Sequence, residues 1–312
     1  MTGKAEIPTG WLLGDIGNSR VKLVWMANGR ESAGRLWSEL ATSIAESSSA
    51  SPQPFCRWDA RLTLPTGRIS EQSETLSAFL ADKKLGGIWL SSVHGEAAQK
   101  LVAMIDQVLE SHDNEDIDGS LIASAADVVL PNLLQKPDKT GADRALAVRA
   151  AMRLHKGKGR GIVVLCGTAL TVEWIDADEV WAGGAIAPGF HLGAMALNQG
   201  TAALPFVTQI TKAPLPFGTH TQTAIDAGLF WGQVGTAREL IQRITCSGKY
   251  LPDLLQVSGG PVVDPINSSG LHWEIWSGGD AHLLAPHAAS TQAHLIDDLV
   301  LLGLADLALA GD

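Results

Sequence analysis

Two stretches of this 312-residue chain, about 150 residues apart, read alike. "LLGDIGNSRVKLVW" (Leu12–Trp25) and "IVVLCGTALTVEW" (Ile162–Trp174) are each an apolar run, a glycine turn with hydroxyl residues, and a second run ending in Trp. Short apolar runs bounded by glycine turns read as buried strands. A unit present twice is a duplicated element, not a solenoid, which needs at least three copies. The chain is therefore expected to form two related halves, each presenting a Gly–hydroxyl hairpin and together gripping one ligand from both sides.

The residues between the hairpins support an α/β reading. The first strand is expected over Trp11–Gly14 and "VKLVWM" returns as the second, while residues 39–75, rich in Ser and Pro, read as loop with short strands. "GGIWLSSV" looks like a buried strand, and "EAAQKLVAMIDQVLESH" puts Ala97, Leu101, Met104, Ile105 and Val108 on one helical face. Strands alternating with amphipathic helices define the α/β class. The pattern begins again near Leu134, which divides the chain into domains 10–134 and 135–312. In the helix "TQTAIDAGLFWGQVGTARELIQRI", Gly228, Gly232 and Gly235 fall near one face and are expected to permit close helix contact. Residues 255–272 are turn-rich; "WEIWSGGDAHLL" reads as strand, turn and helix start, and "LIDDLVLLGLADLAL" as a closing helix.

Composition removes several function classes. A net charge of −10 with no basic run argues against nucleic acid as a partner. Cys56, Cys166 and Cys246 are too widely spaced for a disulfide framework or a zinc knuckle, so a reducing cytoplasm is the expected compartment. The opening residues lack a signal-peptide core. Residues 180–211 carry no Asp, Glu, Lys or Arg, yet Gly and Pro interrupt them too often for a membrane helix, so no membrane is expected.

Five stretches carry chemistry. In the first turn, Gly17 allows a tight bend and Asn18 and Ser19 add donors, while successive amides of the turn make an anion site within reach of Lys22. Asp15 would repel a phosphate unless a cation lay between them, which suggests Mg²⁺ held largely through water; a hairpin whose Asp and Asn cap their own turn accounts for the same residues. In "TGADRALAVRAA", Asp143 stands in the first turn of a helix, where it stays ionised and could orient a substrate hydroxyl. Arg144 beside it suits a substrate carboxylate, although, taken alone, a helix-start Asp with a solvated Arg explains the pair better. Gly167, Thr168 and Thr171 could donate to a second set of phosphate oxygens, or be ordinary hairpin residues. "GGAIAPG" precedes a helix, and Gly278 and Gly279 open another, where a base or ribose could lie against backbone. His191, just past the "APG" turn, reads as structural, and the ten Trp as mostly core.

Together and in this order these pieces resemble the type III pantothenate kinases, of the acetate and sugar kinase/Hsp70/actin superfamily. D-x-G-N-[TS]-x-x-K falls on Asp15, Gly17, Asn18, Ser19 and Lys22; G-x-D-R on Gly141, Asp143 and Arg144; G-T-x-x-T on Gly167, Thr168 and Thr171. "GGAIAPG" matches at Gly183–Gly189, G-x-x-T at Gly218 and Thr221, and the Gly-Gly element at Gly278 and Gly279. The resemblance implies two ribonuclease H-like halves in an actin-like ATPase fold, a homodimer, and Mg²⁺-dependent transfer of phosphate from ATP to the primary hydroxyl of pantothenate, the first step of coenzyme A synthesis. It implies Asp143 as base, pantothenate contacts from Gly141, Ala142, Asp143, Arg144 and Thr221, and ATP contacts from the opening turn, Ile16, Arg20 and Val21 included, and from Thr168. Two positions depart from it. Where the family has an Asp for an activating K⁺ or NH₄⁺ this chain has Cys166, a poor ligand for either ion; where it tends to place a substrate-contacting Tyr, Leu134 stands. A nucleotide-binding regulatory homologue without catalysis, or a phosphotransferase acting on another alcohol, are the remaining alternatives.

Overall fold

The computed structural model describes residues 9–46, 58–110, 117–247 and 271–311. The first half builds a sheet from β1 (Thr9–Ile16), β2 (Arg20–Ala27), β3 (Ala60–Pro65), β4 (Lys84–Ser92) and β5 (Asp118–Ile122). The second builds one from β6 (Gly161–Cys166), β7 (Ala169–Ile175), β8 (Trp181–Pro188), β9 (Trp273–Ser277) and β10 (Ala293–Leu295). The spatial orders are β3-β2-β1-β4-β5 and β10-β9-β6-β7-β8. In each, the first three strands run antiparallel and the last two join the first strand's free edge in parallel. Hairpins connect antiparallel neighbours, whereas each parallel addition needs a helical crossover. Both sheets thus share one wiring, that of the ribonuclease H-like fold. The expected α/β class and paired halves are borne out.

The helices are α1 (Gly29–Glu46), α2 (Ser73–Leu80), α3 (Gly95–Leu109), α4 (Ala142–Leu154), α5 (Phe190–Gln199), α6 (Thr221–Ser247), α7 (Ala281–Ala288) and α8 (Leu299–Ala310). Between the sheets lie α4 and α8, whose side chains join those of β1, β6 and β9 in one hydrophobic core. A helix apolar on nearly every side belongs in such a place, and Leu299, Leu301, Leu302, Leu304 and Leu307 of α8 are all buried. The two helices approach closely at Gly303, where a Cβ would collide with the Leu146 carbonyl. Arg149 and Arg153 of α4 both pair with Asp306 of α8, so the crossing is also held by charge. Eight of the ten Trp are buried, as expected.

Two expectations need correction. Residues 39–46 are not loop but the last turns of α1, because Ala33, Leu36, Trp37, Leu40 and Ile44 recur at helical spacing and bury one face. The Ser-rich composition that follows concealed that period. Gly228, Gly232 and Gly235 make no close helix contact, since a Cβ at each would meet open space. The first strand also runs longer than expected, from Thr9 to Ile16. The turn-rich stretch 255–272 lies, apart from its last two residues, outside the described residues.

Candidate functional site

Because both sheets carry their first hairpin at the same place, the two glycine turns meet. Each closes on its own backbone: Gly17 N–H donates to the Arg20 carbonyl and Gly167 N–H to the Ala169 carbonyl, both at 3.0 Å. Across the gap the Ser19 and Thr168 hydroxyls lie 2.9 Å apart. They border a cleft of about 890 Å³ that is also lined by Asp15, Asn18, Arg20, Lys22, Asp143, Thr171 and the Gly278–Asp280 turn. Residues that are 149 positions apart in sequence therefore share one surface.

Asp15 ends β1 at the cleft floor, where it pairs in register with Lys22 and accepts a hydrogen bond from the Ser91 hydroxyl at 3.3 Å. Burial, with smaller contributions from the charges of Asp143 and Asp298, raises its pKa to about 6 against the pull of Lys22 and the Ser91 hydrogen bond. Such a carboxylate gains most from a nearby cation. Among the described residues no group of three His, Cys, Asp or Glu is placed to cage a metal. The donor set therefore fits a hydrated Mg²⁺ that takes most of its ligands from water and phosphate, with Asp15 as the protein's contribution.

Asp143 is the second residue of α4, and its carboxylate accepts the Arg144 backbone N–H at 2.9 Å. Burial raises its pKa, opposed by that hydrogen bond and by Arg144. Thr171 adds a buried hydroxyl with no partner that lines the same cleft. Buried polar groups are normally satisfied, so this one points to a ligand. Gly278, with φ +101°, lies so close to the Cys166 backbone that no Cβ would fit. The Asp280 N–H then donates to the Cys166 carbonyl at 3.0 Å, which fixes the turn beside the second hairpin.

Other expected site residues lie elsewhere. Ile16 and Val21 are buried in the first sheet's core, so only their backbone could serve a ligand. Gly141 and Ala142 lead into Asp143 but do not line the cleft; Thr221 is exposed at the start of α6, also outside the lining. Two nitrogens of Arg144 are taken by Glu173, Nε at 2.6 Å and Nη2 at 2.8 Å, and Glu173 also accepts the Trp181 indole N–H at 3.1 Å. The guanidinium thus struts α4 against β7. Leu134 is half-buried against the inter-sheet core and does not line the cleft. His191 does line it, edge-on to Phe206.

Cys166 borders the cleft but is packed with Ile162 and Val164, and burial pushes its thiol pKa far up, so it offers no anionic ligand. Leu165, on the opposite face of β6, also lines the cleft, two residues before Gly167 as Asp15 stands two before Gly17. The residues present do not fit a monovalent cation there. The sequence reading also missed Glu173, Asp280 and Asp298. The last two precede the helical runs of α7 and α8, a position favoured for helix caps that could have marked them.

The type III pantothenate kinase family profile matches residues 11–243. The type III pantothenate kinase of Paramagnetospirillum magneticum is 38% identical over 134 residues, which cover 43% of this chain and 50% of the relative. That of Cereibacter sphaeroides is 38% identical over 120 residues (38% and 45%), and that of Roseobacter denitrificans 40% over 126 (40% and 48%). The chain spans about half the length of these relatives.

Proposed function

The chain belongs to the type III pantothenate kinase family, and on that premise we propose that it uses ATP and Mg²⁺ to phosphorylate the primary hydroxyl of pantothenate. The observation that carries this reading is the 2.9 Å contact between Ser19 and Thr168, which joins two phosphate-type turns in one cleft with Asp143. In the proposed reaction the alcohol oxygen bonds to the γ-phosphorus, the β–γ bridging bond breaks, and the hydroxyl proton passes to Asp143. Because phosphoryl transfer is largely dissociative, Asp143 mainly orients the hydroxyl, and the backbone amides and Lys22 stabilise charge on the phosphoryl oxygens. Mg²⁺, bound at Asp15 through water, would neutralise charge on the β- and γ-phosphates. The orphaned Thr171 hydroxyl supports a contact to the same oxygens, and the backbone at Gly278 and Gly279 a place for the nucleoside. Gly141, Ala142 and Thr221 remain proposed pantothenate contacts; for Arg144 a contact to its carboxylate would share the guanidinium with Glu173.

A cytoplasmic homodimer belongs to the same reading and rests on family membership; the unpaired thiols of Cys166 and Cys246 agree with a reducing compartment. Among the described residues no helix is long and apolar enough to cross a membrane. A second reading, a nucleotide-binding homologue with impaired catalysis, is favoured by Leu165, which puts an apolar side chain where the first hairpin presents Asp15. One assay separates the two: purified protein with ATP, Mg²⁺ and pantothenate, and product detected by mass. The first reading expects phosphopantothenate from the parent and at least a hundredfold less from a folded Asp143→Asn variant, about the range for a lost general base. ATP binding without turnover in the parent would support the second.

A further inference from the structure

One carboxylate at the cleft belongs neither to the phosphate turns nor to the base. Asp298, the residue before α8, has a side chain only 3% exposed and a backbone in the left-handed region at φ 53°. A non-glycine residue is uncommon there, so its surroundings must hold it. They do. Arg61 donates from Nη1 at 2.8 Å and from Nη2 at 2.9 Å, the Trp58 indole N–H donates at 3.2 Å, and Lys22 Nζ reaches it at 3.4 Å. Lys22 and Arg61 sit on β2 and β3 of the first sheet, whereas Asp298 follows the last strand of the second. The cluster joins the halves beside the cleft.

The two cations are held unequally. Arg61 meets Asp298 fork to fork, the stronger and more directional arrangement, and does not line the cleft. Lys22 makes a single long contact and does line it. Arg61 alone can neutralise Asp298, so Lys22 can leave without stranding a buried carboxylate, which would cost several kcal/mol.

We propose that Arg61 is a positioning residue: by neutralising Asp298 it releases Lys22 from that carboxylate, so that Lys22 can pair with a polyphosphate. This rests on the reading of Lys22 as a phosphate-binding residue. Lys22 then has two alternative partners, Asp298 and a phosphate oxygen of a bound polyphosphate. Remove Arg61, and Lys22 becomes the sole cation on Asp298, so phosphate must compete for it.

Calorimetric titration with MgATP and with inorganic tripolyphosphate tests this on the full chain, with a melting curve for each variant. Arg61→Met should weaken both ligands about tenfold, the loss expected when one charged contact must be surrendered. Arg61→Lys keeps the charge but loses the two-point fork, so its affinity should fall between those of the parent and Arg61→Met. Arg61→Met combined with Asp298→Asn should recover most of the affinity, since the competing anion is gone. A merely structural ion pair would lower the melting temperature in Arg61→Met without moving affinity, and unchanged affinity or failed recovery in the double variant overturns the proposal. Should Arg61→Met not fold, the ammonium resonance of Lys22 in isotope-labelled parent, assigned with Lys22→Arg, must shift on saturation with tripolyphosphate; an unmoved resonance overturns it. A parent that binds neither ligand overturns the kinase reading as well, whereas a parent that binds both with unaffected variants overturns this inference alone.

Discussion

Replacing Glu173 with Leu should be among the most damaging single changes outside the cleft. Glu173 is fully buried on β7, and its carboxylate is the partner of Arg144, whose side chain is 15% exposed, and of the Trp181 indole. Removing one member of a buried ion pair leaves the other charge desolvated and unpaired, at about 3–5 kcal/mol. A chain of this size loses about 2 °C of melting temperature per kcal/mol, so a fall of about 6–10 °C is expected. The control is the double variant Glu173→Leu, Arg144→Met, which removes both charges. Apolar replacement of a whole buried pair is often neutral, and the double variant should recover at least half of the loss. Thermal unfolding followed by circular dichroism measures both. A drop under about 2 °C in the single variant, or a double variant no more stable than the single, would refute the strut assigned to this pair.

Two pH-dependent outcomes follow from buried groups. Asp15 has a folded-state pKa raised to about 6, so the empty protein binds more protons folded than unfolded between pH 3.8 and 6 and loses stability as pH rises through that window. Asp15→Asn should therefore be more stable than the parent at pH 7 by about 1–3 kcal/mol, with the gain gone at pH 4 and MgATP turnover abolished; equal unfolding midpoints at pH 7 would count against the burial of this charge. His155, at the end of α4, is stacked on Trp273 at 4.8 Å, and neither ring nitrogen has a partner. Burial, with Lys158 and His294, lowers its pKa to about 3, so stability is lost as pH falls from 6.5 toward 3. His155→Phe should flatten the stability–pH curve across that range by about 3 kcal/mol or more; a curve parallel to the parent's would show that another group dominates acid unfolding.

Much of the site was legible in sequence because its parts are local. A glycine turn announces itself within a few residues, and so does a carboxylate at a helix start; Gly17, Gly167 and Asp143 were all readable this way. The paired halves followed from the repetition of one hairpin. Partnerships across the chain were hidden. Nothing near Asp298 in sequence signals that Lys22, Trp58 and Arg61 converge on it, since those contacts span 237 positions or more. Arg144 likewise read as a free cation because Glu173 is 29 residues away on another element. The orientation of Cys166 turned on strand alternation, which shifts by a full face with each residue. The face of α6 misled for a different reason: three glycines at helical spacing describe a groove but not whether anything fills it.

The most direct measurement is a crystal structure of the protein with a non-hydrolysable ATP analogue and pantothenate. The account predicts terminal phosphates contacted from both the Gly17–Ser19 turn and the Gly167–Thr168 turn, with the Asp143 carboxylate hydrogen-bonded to the primary hydroxyl. Phosphates held by one turn alone, or a hydroxyl oriented by any other group, would contradict it.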